Sequence, residues 1–247
     1  MALAGRQAPH QNISVKVFNL RNLRNIDFWL VLITFALAVA GWILMYSASR
    51  STDVMYFQRQ IFFFFVGIGA LIFFVSVDYR FLVSIAPLFY LGAIALLVFV
   101  MFFGTSAKGS ERWIALGPFR LQPSEFSKII MIFMLTWYFT MIGDRIKKFF
   151  WFSLTFIIAA VPMGLILKQP NLGTAASLGP LTLVMLFVAG CRKRHLALVI
   201  LVGLSIFPML WWQMSGFDPE NPTEPRTFFE LKHYQKMRIY TYLNPEY

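Results

Sequence analysis

The sequence predicts an all-α integral membrane protein, a polytopic bundle of about seven transmembrane helices, and three observations carry that prediction. Of 247 residues, 58% are hydrophobic and only 13% charged, against roughly 45–50% and about 25% in soluble domains. Apolar runs long enough to cross a membrane, about 20 residues in helical form, recur along the whole chain. Short turns dense in Lys and Arg separate alternate runs, the pattern that orients membrane proteins.

The runs lie near 28–46, 60–77, 81–103, 125–142, 149–167, 172–190 and 195–212. They define a tail over 1–26, a transmembrane domain over 27–212 with a polar loop at 104–124, and an outer loop over 213–247. The first run follows Arg6, Lys16, Arg21 and Arg24 and ends in Ser47-Ala48-Ser49, much as a signal peptide would. A signal core is about 7–15 residues long. Phe28 to Met45 exceeds that, so the run is read as a retained first span.

Asp78-Tyr79-Arg80, the turn 143–148 and the turn 190–194 share one side of the membrane with the tail. Their cations (Arg80, Arg145, Lys147, Lys148, Arg192, Lys193 and Arg194) sit in very short connections, where the positive-inside bias is strongest. That side is read as cytoplasmic, which puts 104–124 and 213–247 outside. The net charge of +11 then belongs to membrane edges, and no soluble segment is long enough for a nucleic-acid module. One cysteine, Cys191, excludes an internal disulfide, and His10, His195 and His233 lack metal-ligand spacing. No metal site or cofactor is evident, with a divalent cation left open.

No Asp, Glu, Lys, Arg or His falls at the middle of any span. Ion-coupled transporters place ionisable groups there. Here the ionisable pair nearest a span is Glu125 and Lys128, at one end of the fourth. The polar chemistry therefore belongs to one membrane interface, the depth at which a lipid-anchored substrate presents its head group.

The loop leading there is the most informative stretch. Pro123 suits the first turn of a helix, and Ser124 can cap its unpaired N–H groups. Glu125 sits beside the partly positive helix end, and Lys128 is three residues on, on the same face. Arg112 offers a planar fork for phosphate oxygens, and Trp113 can anchor at headgroup depth. On physics alone two readings stand side by side. The loop is a binding rim, or it is an interfacial turn in which Glu125 and Lys128 simply neutralise each other.

Lys108-Gly109-x-x-Arg112-Trp113-Ile114-x-Leu116-Gly117-Pro118-Phe119, followed by Gln122-Pro123-Ser124-Glu125-Phe126-x-Lys128, resembles the SEDS family (shape, elongation, division, sporulation). Met45-Tyr46-Ser47-Ala48-Ser49, Lys168-Gln169-Pro170-Asn171-Leu172-Gly173-Thr174-Ala175 and Tyr234-Gln235-Lys236-Met237-Arg238-Ile239 with Leu243-Asn244-Pro245-Glu246 agree in the same order. Val77-Asp78-Tyr79-Arg80 favours the elongation, RodA-like branch. The resemblance implies a peptidoglycan glycosyltransferase that polymerises lipid II, the undecaprenyl-pyrophosphate disaccharide-peptide, into glycan strands at the bacterial cytoplasmic membrane. It implies a class B penicillin-binding protein and membrane lipid as partners and no nucleic acid. It nominates Arg112, Trp113, Gln122, Glu125, Lys128, Lys168 and Gln169 as substrate-binding, with Glu125 supporting catalysis and the catalytic residue itself unknown. A flippase for lipid-linked precursors and a non-catalytic scaffold for the penicillin-binding protein are the alternatives.

Two departures from the family pattern matter. Asn171 stands where the family has Asp, so an amide replaces a carboxylate. The family's general base belongs to an Asp-Pro-x-Gly-x-Gly-Tyr string that residues 1–247 do not contain, within a fold of about ten spans. The expectation is an incomplete chain that is inactive alone.

Overall fold

The computed structural model describes residues 18, 24, 26–49, 55–107, 110–116, 119–169, 171–215 and 241. Almost all of the expected tail and of the expected outer loop at 213–247 lies outside the described residues. The chain forms two compact units, Met1–Trp137 and Tyr138–Tyr247.

In the first unit, α1 (Phe28–Ser49) and α2 (Met55–Ser76) pair through aromatic rings. Trp42 meets Phe64 at 4.9 Å between centroids, Tyr46 meets Phe57 at 5.5 Å, and Phe35 reaches Phe64 at 6.2 Å. Positions 35, 42 and 46 fall on one helical face, as do 57 and 64, because helical neighbours recur every three to four residues. Most other side chains of α1 are exposed, as an all-round apolar helix in lipid would be.

The expected third span is interrupted. Asp78 caps α3 (Tyr79–Ser84) by accepting from the N–H of Arg80, and the long apolar helix α4 (Ala86–Phe103) starts after Ile85. Pro87 lies in its first turn, where a missing N–H costs nothing but would break a continuing helix. Ala86, Ala93, Leu97 and Val100 form its buried stripe.

The loop at 104–124 is a folded unit, not irregular chain. Strands β1 (Thr105–Ala107), β2 (Ser110–Leu116) and β3 (Phe119–Leu121) form an antiparallel meander, and β2 lies beside α4. Gln122 alone links β3 to α5 (Pro123–Ile142). Along α5 the buried positions are Ser124, Ser127, Met131, Leu135, Tyr138 and Ile142, a three-four spacing that keeps one face inward.

In the second unit a 3₁₀ turn (Gly143–Lys147) leads to α6 (Phe149–Lys168), which packs against α7 (Leu172–Val188). The seam comprises Phe152, Thr155, Ala159, Pro162 and Ile166 on α6 with Ala175, Leu178, Thr182 and Leu186 on α7. Thr155 and Thr182 satisfy their hydroxyls on carbonyls of their own helices, at Trp151 and Leu178, so no polar atom is stranded in the seam. Tyr138 donates to the Trp151 carbonyl at 2.9 Å. Gly143 and Gly190 adopt φ of +52° and +75°, the left-handed conformation that ends helices cheaply only at glycine. After Gly190, the Cys191 N–H returns to the Leu186 carbonyl and closes α7. The last helix, α8 (Lys193–Ser215), touches α7, and its His195 ring lies 5.6 Å from Phe149 and 5.2 Å from Phe152.

Helices therefore cover all seven predicted runs, the third in two pieces. Among the described residues five, 28–49, 57–76, 86–103, 123–147 and 149–168, are long and apolar enough to cross a membrane, and Leu172–Val188 is a shorter apolar helix. The protein is an all-α polytopic membrane protein that carries one small sheet.

Candidate functional site

Pro123 opens α5, so Ser124 is inside the first turn rather than ahead of it, fully buried. The Glu125 N–H donates to the Gln122 carbonyl at 3.1 Å, and proline, with its fixed φ and no N–H, suits the first helical position. Ser127, also buried, donates to the Pro123 carbonyl at 3.2 Å. The buried serines turn the opposite face outward, and Glu125 and Lys128 lie there. Lys128 Nζ donates to Glu125 Oε2 at 2.8 Å, with side chains 34% and 50% exposed respectively.

The sheet delivers the other predicted residues to the same helix start. Ile114 pairs with Leu121 across β2 and β3, and that register carried one residue further sets Trp113 level with Gln122. On the other edge, Thr105 pairs with Trp113 but Ser106 pairs with Glu111. One step in β1 thus spans two in β2, and the extra residue is Arg112. A bulge of this kind bends the strand that carries it and increases its local twist. Arg112, Trp113, Gln122, Glu125 and Lys128 accordingly share one corner of the first unit, at the end of α5 some 30 Å from its other end by helical rise.

Lys168 and Gln169 belong to the second unit. Lys168 is the exposed last residue of α6, and Gln169 is the buried C-cap whose N–H reaches the Leu165 and Ile166 carbonyls. Asn171 begins α7 as its N-cap, accepting from the Thr174 N–H at 3.4 Å. Its amide performs the capping that an Asp would perform. Among the described residues no three His, Cys, Asp or Glu side chains are grouped to hold a metal ion.

An ion pair this exposed stabilises a protein by only ~0–1 kcal/mol, so stability is a weak reason for Glu125 and Lys128. They place an anion and a cation side by side at the end of a long apolar helix.

A family profile covers residues 28–247. The chain belongs to the FtsW/RodA/SpoVE family of cell cycle proteins. This is the SEDS family to which the motifs pointed. The FtsW/RodA/SpoVE chain is 31% identical over 237 residues to "Probable peptidoglycan glycosyltransferase FtsW" of Geobacter sulfurreducens, covering 92% of this chain and 59% of that protein. It is 32% identical to peptidoglycan glycosyltransferase RodA of Treponema pallidum, over 75% of this chain and 43% of that one. Among solved structures it resembles a chain from a study of how a peptidoglycan synthase complex coordinates polymerization and crosslinking, at TM-score 0.69 and 25% identity. That match covers 90% of this chain and 60% of the other. It also resembles the rod shape determining protein RodA of Thermus thermophilus, at TM-score 0.59 and 29% identity over 73% of this chain and 59% of that one. The chain thus spans about three-fifths of the Geobacter relative.

For this family member, sequence reasoning missed the sheet, the bulge at Arg112 and the inward-facing pair Ser124 and Ser127. The signals were present. Gly109 and the Gly117-Pro118 dipeptide are turn punctuation in the sequence, and Ser124 and Ser127 start the same three-four spacing as Met131 and Leu135.

Proposed function

We propose that this chain is part of a peptidoglycan glycosyltransferase of the elongation branch that polymerises lipid II at the outer face of the cytoplasmic membrane, beside a class B penicillin-binding protein. The observation that carries the reading is the Glu125–Lys128 pair, 2.8 Å apart at the end of a membrane-length helix, in a chain whose relatives are named peptidoglycan glycosyltransferases. Arg112 grips pyrophosphate oxygens with its two-pronged guanidinium, and Lys128 adds a point charge to the same group; in the second unit, Lys168 offers a substrate-binding cation of its own. Trp113 holds the sheet at headgroup depth. Gln122 in the first unit and Gln169 in the second each offer an amide to polar substrate groups. Glu125 supports catalysis by fixing Lys128 and by holding negative charge beside the helix start.

Removing the proton from the acceptor sugar hydroxyl is general-base work, worth about 10²–10⁴-fold. In this reading it falls to the Asp of the Asp-Pro-x-Gly-x-Gly-Tyr string of the family pattern. The test is to place the complete protein in liposomes with lipid II, following glycan formation and transbilayer movement together. Glycan strands support the proposal. Movement without strands would make the protein a flippase, and capture of the penicillin-binding protein with neither activity would make it a scaffold. Depletion in a rod-shaped host tests the branch: round cells are expected, and filaments would assign division instead.

A further inference from the structure

The opposite end of the second unit concentrates charge that the proposed glycosyltransferase does not use. Two turns meet there. The 3₁₀ turn and the residue after it carry Arg145, Lys147 and Lys148, and the α7–α8 turn carries Arg192, Lys193 and Arg194, all six exposed. The ring contacts of His195 with Phe149 and Phe152 hold the turns side by side, since Lys148 precedes Phe149 and Arg194 precedes His195. Asp144 is the single acid in the two turns, and Lys147 pairs with it. Among the described residues no carboxylate pairs with Lys148, Arg192, Lys193 or Arg194. Arg145 lies over the ring of Trp151, its guanidinium carbon 5.9 Å from the centroid, an arrangement suited to the polar–apolar boundary of a bilayer. Directly below the cations, Phe149 and Phe150 are 60% and 69% exposed.

Basic turns orient membrane proteins even when they bind nothing. What distinguishes this end is the combination: two basic turns clasped together, one neutralising acid, and exposed rings immediately beneath. Cations above and rings below match an anionic phospholipid, phosphate and acyl chain in the same order. We propose that the two turns form a binding site for anionic glycerophospholipid of the phosphatidylglycerol type, its phosphodiester between Lys148 and the Arg192–Arg194 cations and its acyl chains along Phe149 and Phe150. The site does not depend on the glycosyltransferase reading, because it uses none of that corner's residues.

The experiment is native mass spectrometry of the full chain in detergent, titrated with phosphatidylglycerol and with phosphatidylcholine of the same acyl chains. Phosphatidylglycerol is expected to bind at least tenfold more tightly, weakening with salt as juxtamembrane basic clusters do. R192Q/K193Q/R194Q is expected to lose that preference while keeping its melting temperature, and R192K/R194K to retain it. Should the triple variant not survive purification, R145Q/K148Q on the other turn carries the same test. Equal affinity for the two lipids, or an unchanged preference in the glutamine variants, would overturn the site. So would displacement of phosphatidylglycerol by millimolar inorganic phosphate, which would make it a site for free phosphate.

Discussion

Single residues separate binding chemistry from stability in this protein. Glu125→Gln removes the ion pair at the start of α5, but the pair is half exposed, so the melting transition is expected to shift by less than about 1 kcal/mol. A collapse in membrane abundance would instead show that the carboxylate is structural. Asn171 is the reverse case, a cap whose value is local. Asn171→Ala is expected to cost ~1 kcal/mol, whereas Asn171→Asp is expected to stabilise α7 by ~0.3–1 kcal/mol at neutral pH through the helix end. That gain is present above the carboxylate's titration range and lost as pH falls through it, which thermal melts across pH would reveal. Burial pushes the Cys191 thiol up, leaving little thiolate at pH 7. In native membranes this sole cysteine is expected to react with a maleimide at least tenfold more slowly than after denaturation, and labelling at equal rates would contradict its burial. His195 Nδ1 is buried without a hydrogen-bond partner among the described residues. Phenylalanine there keeps the ring contacts and drops the unpaired atom, so His195→Phe is expected to raise stability by about 1 kcal/mol. The pair at 125 and 128 was open to sequence reading because residues three apart share a helix face, whereas the cap at Asn171 emerged only from the structure. The bulge at Arg112 was not legible either, since register is set by the partner strand.

Among the elements, the helices were visible as apolar runs, but their inward faces were not. A membrane helix is apolar all round, so hydrophobicity cannot say which side meets protein. Packing shows it instead: Phe152, Thr155, Ala159, Pro162 and Ile166 on α6 repeat every three or four residues. Small residues such as Ala159 and Ala175 let the two backbones approach, which matters because lipid removes the hydrophobic reason to associate. Ala159→Leu is therefore expected to destabilise the second unit by ~1–3 kcal/mol through overpacking, readable as a lower melting temperature. The same change at lipid-exposed Val161 should be silent, and equal effects at the two sites would refute the seam. The sheet escaped notice because Ser-Glu-Arg-Trp-Ile-Ala-Leu in β2 lacks the strict alternation of a half-buried strand. The break at Ile85 was legible in Pro87 but overridden by the continuous apolar run around it.

For the molecule as a whole, composition and basic turns were enough to give the membrane class, and ordered motifs gave the family. Two polar clusters, one in each unit, then divide the labour proposed for them. The corner at the start of α5 in the first unit serves lipid-linked sugar, and the basic turns of the second unit hold the protein to anionic lipid. The first of these is the central claim, and one comparison tests it most directly: glycan synthesis from lipid II by the complete protein and by its Glu125→Gln variant, in liposomes, at matched folding. The account predicts glycan strands from the natural protein and at least a hundredfold less from the variant. Strands formed by the variant at the natural rate would remove Glu125 from the site and, with it, the reading of that corner as the place where lipid II is handled.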